Sequence, residues 1–411
     1  MTSADYRPQV LSCYSGAGGL DLGLHAAGLS TLGCLEIDED ARQTLAAGPH
    51  GWKVFENGDV DEAGRLLTPR RLGMARGELD VIAGGPPCQP FSKAAQWTRS
   101  GRSGMTDPRA ASLGGMMQLV ESFLPKVLLL ENVRGFTHGK GSALPLVENY
   151  LREINQRRKT KYRLQVFELD AADYGTAQHR QRSIIIACRE GTEVTAPVPT
   201  HKEKPLRAWD AIGGLEAIEP LPAMRGKWAD LLACVPEGSN YLHLTAKGGG
   251  PEVFGYRTRY WSFLLKLAKD RPSWTLPASP GPGAGPFHWD NRPLSVQERL
   301  ALQGFPRQWA LVGDERSRIK LAGNATPPPL AEAIARSLVL QGVLETPTGF
   351  PDKAVLPVKR RGKVPAAGSP ARLPKVYRSL VGPKKAHAGA GLGPAPRSIE
   401  EIVELDASVI G

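Results

Sequence analysis

Residues 84–92 read Gly84-Gly85-Pro86-Pro87-Cys88-Gln89-Pro90-Phe91-Ser92, directly after the largely apolar run Leu79 to Ala83. A short apolar run that stops at Gly and Pro reads as a buried strand followed by a turn. Pro86, Pro87 and Pro90 fix φ and remove backbone donors, while Gly84 and Gly85 permit close backbone approach. Cys88 is therefore held on a stiff turn at the end of a strand. Open α/β sheets keep their sites at the carboxyl ends of strands, which makes Cys88 a candidate nucleophile. A free cysteine is more commonly a buried small hydrophobe, but such a residue needs no frame of prolines.

Working towards the N-terminus, Val10 to Cys13 reads as a strand, Tyr14-Ser15-Gly16-Ala17-Gly18-Gly19 as a Gly-rich turn, and Leu20 to Ala27 as a helix. Such a turn lets backbone N–H groups approach a ligand, although a plain tight turn explains it as well. A second strand, Thr31 to Leu35, ends in Glu36-Ile37-Asp38, where a ribose-binding carboxylate belongs. A third, around Val54 to Phe55, leads to Gly58-Asp59-Val60. Both acids also suit helix caps or solvated turns.

Working towards the C-terminus, Lys93 to Thr106 is rich in Ser, Gly and Arg and reads as a lid-like loop or a surface insertion. Asp107-Pro108 starts a helix running towards Leu124. The apolar strand Val127 to Leu130 delivers Glu131-Asn132-Val133, and a carboxylate at the end of a buried strand must be paired or working. A helix over Ala143 to Gln156 and an alternating strand, Tyr162 to Leu169, precede Gln178-His179-Arg180-Gln181-Arg182 and the strand Ser183 to Ala187. Alternate residues share a strand face, so the two arginines suggest a clamp for an oxyanion or phosphate, with His179 a bystander. Strands alternating with helices give an α/β fold.

From Glu190 to Asn291 the periodicity weakens and Pro, Gly and Trp rise, as in a separate small domain. There Tyr256-Arg257-Thr258-Arg259-Tyr260-Trp261 interleaves cations with aromatics, and Phe287-His288-Trp289 follows a Gly-Pro loop. Both suit phosphate contact with base stacking, or a small aromatic core. Ser295 and Glu298 form a capping box for a helix from Val296, and Gly323-Asn324 suggests a turn before a helix over Leu330 to Leu340.

The net charge of +11 is concentrated: residues 353–397 hold eleven Lys or Arg and no Asp or Glu. With few large apolar residues, 343–411 reads as a disordered basic tail that either holds DNA loosely or only solubilises the chain. Five cysteines without a Cys-x-x-Cys pair indicate neither a disulfide framework nor a zinc site. No run is long enough for a membrane span, and the polar Met1 to Gln9 is no signal peptide, so a soluble cytoplasmic protein is expected. Without a Gly-Lys-Ser loop, a nucleoside triphosphate is not expected.

Gly-Pro-Pro-Cys-Gln-Pro-Phe-Ser resembles the catalytic motif of the cytosine-5 DNA methyltransferases. Glu131-Asn132-Val133, Gln178-x-Arg180-x-Arg182 and Gly323-Asn324 resemble further motifs of that family, in its order, over residues 10–342. The resemblance implies a Rossmann-like S-adenosylmethionine-dependent sheet with helices on both faces, plus a smaller irregular target-recognition domain. Residues 1–189 would form the catalytic and cofactor-binding domain, 190–291 the recognition domain, and 292–342 the return to the catalytic domain. It implies Cys88, Glu131, Arg180 and Arg182 as catalytic residues. S-adenosyl-L-methionine would be held by Tyr14, Gly16, Gly18, Gly19, Leu20, Glu36, Asp59, Val60, Pro86, Asn324 and Ala325. Double-stranded DNA would meet Gln89, Ser92, Lys93, Trp97, Arg99, Gln178, Arg257 and Arg259, with no metal. A bacterial monomer is expected, solitary or beside a restriction endonuclease that acts independently. A tRNA cytosine-5 methyltransferase and a non-catalytic DNA-binding relic are the competing readings.

Overall fold

The computed structural model describes residues 5–87, 112–139, 142–256 and 261–384. Its centre is a sheet of six strands: β1 (Gln9–Cys13), β2 (Ser30–Leu35), β3 (Val81–Gly84), β4 (Val127–Asn132), β5 (Arg163–Asp170) and β6 (Gln181–Cys188). Their order is β2-β1-β3-β4-β6-β5. The first four are parallel, and β6 runs antiparallel to both β4 and β5. Every residue of β4, Val-Leu-Leu-Leu-Glu-Asn, is buried, as a strand covered on both faces requires.

The described helices are α1 (Gly19–Ala26), α2 (Glu39–Ala47), α3 (Val60–Leu66), α4 (Ser112–Phe123), α5 (Arg134–Thr137), α6 (Leu144–Arg158), α7 (Ala208–Ile212), α8 (Val296–Leu302), α9 (Glu315–Asn324) and α10 (Pro328–Leu340). One apolar core joins α3, α4 and α6 to one face of the sheet, and a second joins α1 and α10 to the other. Gly23 makes the second contact close: a Cβ there would lie 2.3 Å from that of Ala331. The last helix thus returns to the first, as the motif order implies.

Register decides where chemistry can gather. Cys13 pairs with Leu35 and Gly84, and Gly84 with Leu130, so the ends of the four parallel strands lie in line. Because β6 is antiparallel, its first residues lie at that same edge, with Ser183 opposite Asn132.

Several expectations are corrected. Val54 forms only an isolated bridge to Cys34, the chain bending at Glu56 and Asn57 before Gly58, which packs on the Glu36 backbone. Gly323 and Asn324 are the last residues of α9, not a free turn. Residues 343–384 are no loose tail: Tyr377 and Leu380 are buried in a core with Leu231, Leu232, Leu264 and Phe287, and backbone hydrogen bonds run along the segment. Between 190 and 291 the described chain has α7, short 3-10 turns at Ala229–Cys234 and Tyr241–Leu244, and isolated bridges. The helix start at Asp107-Pro108 lies outside the described residues.

Candidate active site

The edge shared by β3, β4 and β6 brings three predicted motifs together. Asn132, buried at the end of β4, donates through Nδ2 to the Pro86 carbonyl at 2.8 Å and ties the Gly-Pro-Pro turn to that strand. Glu131 precedes it, and Gly85 approaches so closely that a Cβ would lie 3.3 Å from Glu131 Oε2. Arg182 Nε sits 2.6 Å from Glu131 Oε1, an ion pair with both side chains about nine-tenths buried and off-axis for a hydrogen bond. Pairing keeps the buried carboxylate from being an uncompensated charge. Thr137 of α5 holds the next turn through Ser183 (2.8 Å) and Glu168 (3.1 Å).

Arg180 departs from the clamp expected. It is fully buried, and its Nη2 donates to the Gly323 carbonyl at 2.9 Å, joining this edge to the end of α9. Both Gln178 and Arg180 precede β6, so strand alternation does not apply to them. Gln178 is fully buried beside Ser273 and reaches no surface. His179 pairs with Asp170 at 3.0 Å, a hydrogen bond that raises its pKa.

At the neighbouring strand ends the Gly-rich turn is tightly fixed. Tyr14, at φ 56°, donates its N–H to the Leu35 carbonyl, and Gly16 N–H donates to Glu36 Oε2 at 2.8 Å. Glu36 Oε1 accepts from Asp38 N–H at 2.9 Å. Asp59 takes the capping option: its carboxylate accepts from Asp61 N–H at the start of α3. The side chains of Leu20, Val60 and Ala325 are buried in the cores, so only their backbone can face a ligand. Asn324 is exposed at the end of α9. A Cβ on Gly19 would stand 2.0 Å from the Thr326 carbonyl oxygen, so the residues after α9 close directly over the turn.

Four cysteines are described, and all are buried. Burial pushes the Cys188 thiol up to about 11 and shifts Cys13, Cys34 and Cys234 upward too, which makes all four poor nucleophiles. Cys88 follows Pro87 and lies outside the described residues, as do Gln89, Ser92, Lys93, Trp97, Arg99, Arg257 and Arg259.

The C-5 cytosine-specific DNA methylase family model matches residues 9–340. The type II methyltransferase M.SacI of Streptomyces achromogenes is 32% identical over 369 residues, covering 81% of this chain and 93% of the relative. M.Eco47II of Escherichia coli is 32% identical over 350 residues, covering 80% and 78%. The chain belongs to the C-5 cytosine-specific DNA methylase family. It is a sequence-specific DNA cytosine-5 methyltransferase of the bacterial restriction–modification type, with S-adenosyl-L-methionine as methyl donor. In fold it resembles a putative DNA modification methyltransferase encoded within an E. coli prophage, with TM-score 0.56 and 22% identity over 81% of this chain and 99% of that one. Spodoptera frugiperda DNMT2 resembles it to the same TM-score, with 16% identity over 80% and 99%.

In this methylase the residues at the strand ends fit the donor. Among the described residues only the Tyr14 carbonyl, 3.9 Å away, would meet a Cβ on Gly16, so the turn shows bare backbone at that position. Ile37, between Glu36 and Asp38, is 72% exposed, an apolar surface beside a carboxylate at a strand end. Sequence reasoning passed over Ile37, although a large aliphatic between two acids was a signal. It also missed Trp309, whose indole Nε1 donates to the Ala17 carbonyl at 3.0 Å and whose ring packs on Gly18. The aromatics of residues 190–291 divide: Phe287, His288 and Trp289 are buried core, whereas Trp261 is 49% exposed. Among the described residues no group of acids, His and Cys could hold a metal, and no helix is long and apolar enough to cross a membrane.

Proposed function

We propose that this methylase acts on a cytosine turned out of the DNA helix, through a covalent bond between Cys88 and C6 of the base. The observation that carries this reading is the Asn132–Pro86 hydrogen bond beside the Glu131–Arg182 pair. It fixes the residue before Pro87-Cys88 to the strand that delivers the carboxylate.

Cytosine C5 is a weak nucleophile. Addition of the Cys88 thiolate forms an S–C6 bond and moves the C5–C6 π pair onto C5, which becomes a carbon nucleophile. Glu131 hydrogen-bonds the N3 and exocyclic amine edge as charge develops there, and Arg182 orients that carboxylate. Bound S-adenosyl-L-methionine supplies its sulfonium methyl group to C5. A base then takes the C5 proton, the S–C6 bond breaks and the aromatic ring is restored. Turning the base out costs a few kcal/mol, offset by DNA contacts from Gln89, Ser92, Lys93, Trp97, Arg99, Arg257 and Arg259. Arg180 is a positioning residue here, acting through the Gly323 carbonyl.

Gly16, Gly18 and Gly19 would hold the donor through their backbone, Glu36 would take its ribose hydroxyls, Asp59 and the apolar Ile37 its adenine, and Pro86 and Asn324 its methionine part. The protein works as a monomer in the bacterial cytoplasm, alone or beside an endonuclease that acts independently. Residues 190–291 select the target.

Base-resolution methylation mapping of DNA from cells expressing the protein, against a Cys88→Ala control, tests the reading. 5-Methylcytosine at one short recurring sequence, absent from the control, is expected. A mark that survives in the control removes Cys88 as nucleophile, and a mark on tRNA alone removes DNA as substrate.

A further inference from the structure

Residues 345–384 lie beyond the family match, yet they are bonded to the molecule at both ends. The first half is fixed to the cofactor-binding body. Buried Glu332 of α10 accepts from Val355 N–H (2.6 Å) and Leu356 N–H (2.9 Å), and Arg336 donates to the carbonyls of Pro351 (2.7 Å) and Asp352 (3.0 Å). Val358 N–H donates to the Gly175 carbonyl.

The middle is clamped by one buried carboxylate. Asp210 of α7 holds Arg207 through Nη2 (2.6 Å) and accepts from Arg361 N–H (2.8 Å), while Arg207 Nη2 also donates to the Arg361 carbonyl (2.9 Å). Arg360 donates to the carbonyls of Lys204 and Pro205. Arg360 and Arg361 are therefore engaged within the protein, which argues against reading the segment as a loose DNA-holding tail.

The second half belongs to the recognition region. Ala371 N–H donates to the Ala233 carbonyl (2.9 Å), the Tyr377 hydroxyl to the Lys227 carbonyl (2.6 Å), and Gly382 N–H to the Glu252 carbonyl (3.1 Å). Tyr377 packs against Trp228, and Leu380 completes the same core. Between the halves, residues 362–370 are almost entirely exposed.

We infer that residues 345–384 are a splint that fixes the aromatic core of the recognition region, built on Trp228, Tyr241 and Phe254, relative to α7 and the cofactor-binding body. Asp210 and Tyr377 are then positioning residues for target specificity. This rests on residues 190–291 being the recognition region. One part of the region meets the body directly, through an apolar core with Ala177, Leu294 and Leu302 and through Ser273 and Thr275 at His179, whereas the core around Trp228, Tyr241 and Phe254 is closed by Tyr377 and Leu380. A splint anchored by buried Glu332 at one end, Asp210 at its middle and that aromatic core at the other end supplies the rigidity.

Deleting the segment would also strip the recognition core, so the test is a nick. A short protease site inserted between Ala366 and Ala367 leaves both sets of anchors in place, and one preparation is assayed before and after cutting. The uncut enzyme should match the parent. Cutting should lower the preference for the cognate over a one-base-altered site by about tenfold and raise KM for DNA, with KM for S-adenosyl-L-methionine altered less than about twofold. Tyr377→Phe, which removes only the hydroxyl bond, should shift fidelity the same way by a smaller factor. Unchanged fidelity after complete cutting overturns the splint, as does an equal rise of both KM values. An uncut enzyme that marks no DNA sequence would instead remove the function on which the splint rests.

Discussion

The cofactor end of the sheet and residues 190–291 hold their loops still by different means. At the strand ends most of the fixing bonds rest on regular structure close by, Tyr14 on Leu35, Gly16 on Glu36 and Asp59 on the first turn of α3, with Trp309 on Ala17 as a long-range addition. In residues 190–291, the proposed recognition region, a core of rings, Trp228, Tyr241, Phe254 and Phe263, is closed by Tyr377 and Leu380 from far along the chain. Local constraint makes a site rigid wherever the sheet forms. Borrowed constraint makes a region depend on its distant segment.

The largest contrast should come from Glu131→Gln. It preserves shape and the Asn132 tether but leaves the buried Arg182 without its carboxylate, so a stability loss of about 3–5 kcal/mol should accompany the kinetic effect. The carboxylate that meets developing charge is lost, and the rate should fall by about a thousandfold or more. Single-turnover kinetics with equal DNA binding would check it, and a near-normal rate would remove Glu131 from the chemistry.

Leu380→Ala probes the opposite region. If the segment closes the recognition core, chemical denaturation should show a loss of about 2–4 kcal/mol, the usual result of emptying a buried leucine site. An effect within about 0.5 kcal/mol would return the segment to a solvated tail. Its packing was hidden in the sequence because its glue is backbone: Val355, Leu356, Ala371 and Gly382 are held through N–H groups that any residue but proline carries. Composition therefore pointed to disorder. The Cys88 frame and Glu131 were legible for the converse reason, since Pro, Gly and a carboxylate after a buried strand restrict what the chain can do locally. Asn132 and Trp309 fall between these cases. Their types were visible, but each bonds a backbone carbonyl, 46 and 292 residues away respectively.

Gly19→Ala sharpens the account of the cofactor end. Its methyl would meet the Thr326 carbonyl at 2.0 Å, so the residues after α9 must move. A destabilisation of about 1–3 kcal/mol with a marked loss of S-adenosyl-L-methionine binding is expected by calorimetry. Among the described residues Gly16→Ala meets only the Tyr14 carbonyl at 3.9 Å and adds the strain of φ +54°, about 1 kcal/mol. Equal effects from the two would mean that the closing contact is not what shapes the turn.

Asp21 is where local constraint at the cofactor end is incomplete. It lies in α1 just past the Gly-rich turn, fully buried, with Oδ1 4.0 Å from Cys34 Sγ and Oδ2 unpartnered among the described residues. Burial raises its pKa to about 6, against an opposing hydrogen bond from Ser12. With the folded value above the unfolded one, the folded protein keeps a proton that the unfolded chain releases. The resulting stabilisation is complete below the ordinary carboxylate value of about 4 and is lost as pH rises to about 6. Above that, folding carries a buried charge costing on the order of 3 kcal/mol. Asp21→Asn removes the titration, so its stability relative to the parent should rise between about pH 4 and pH 7 by that amount. Urea denaturation of both proteins across that range measures it. A difference that stays constant with pH would mean that Asp21 is as well satisfied as the rest of this end, and that the contrast with the recognition region is complete.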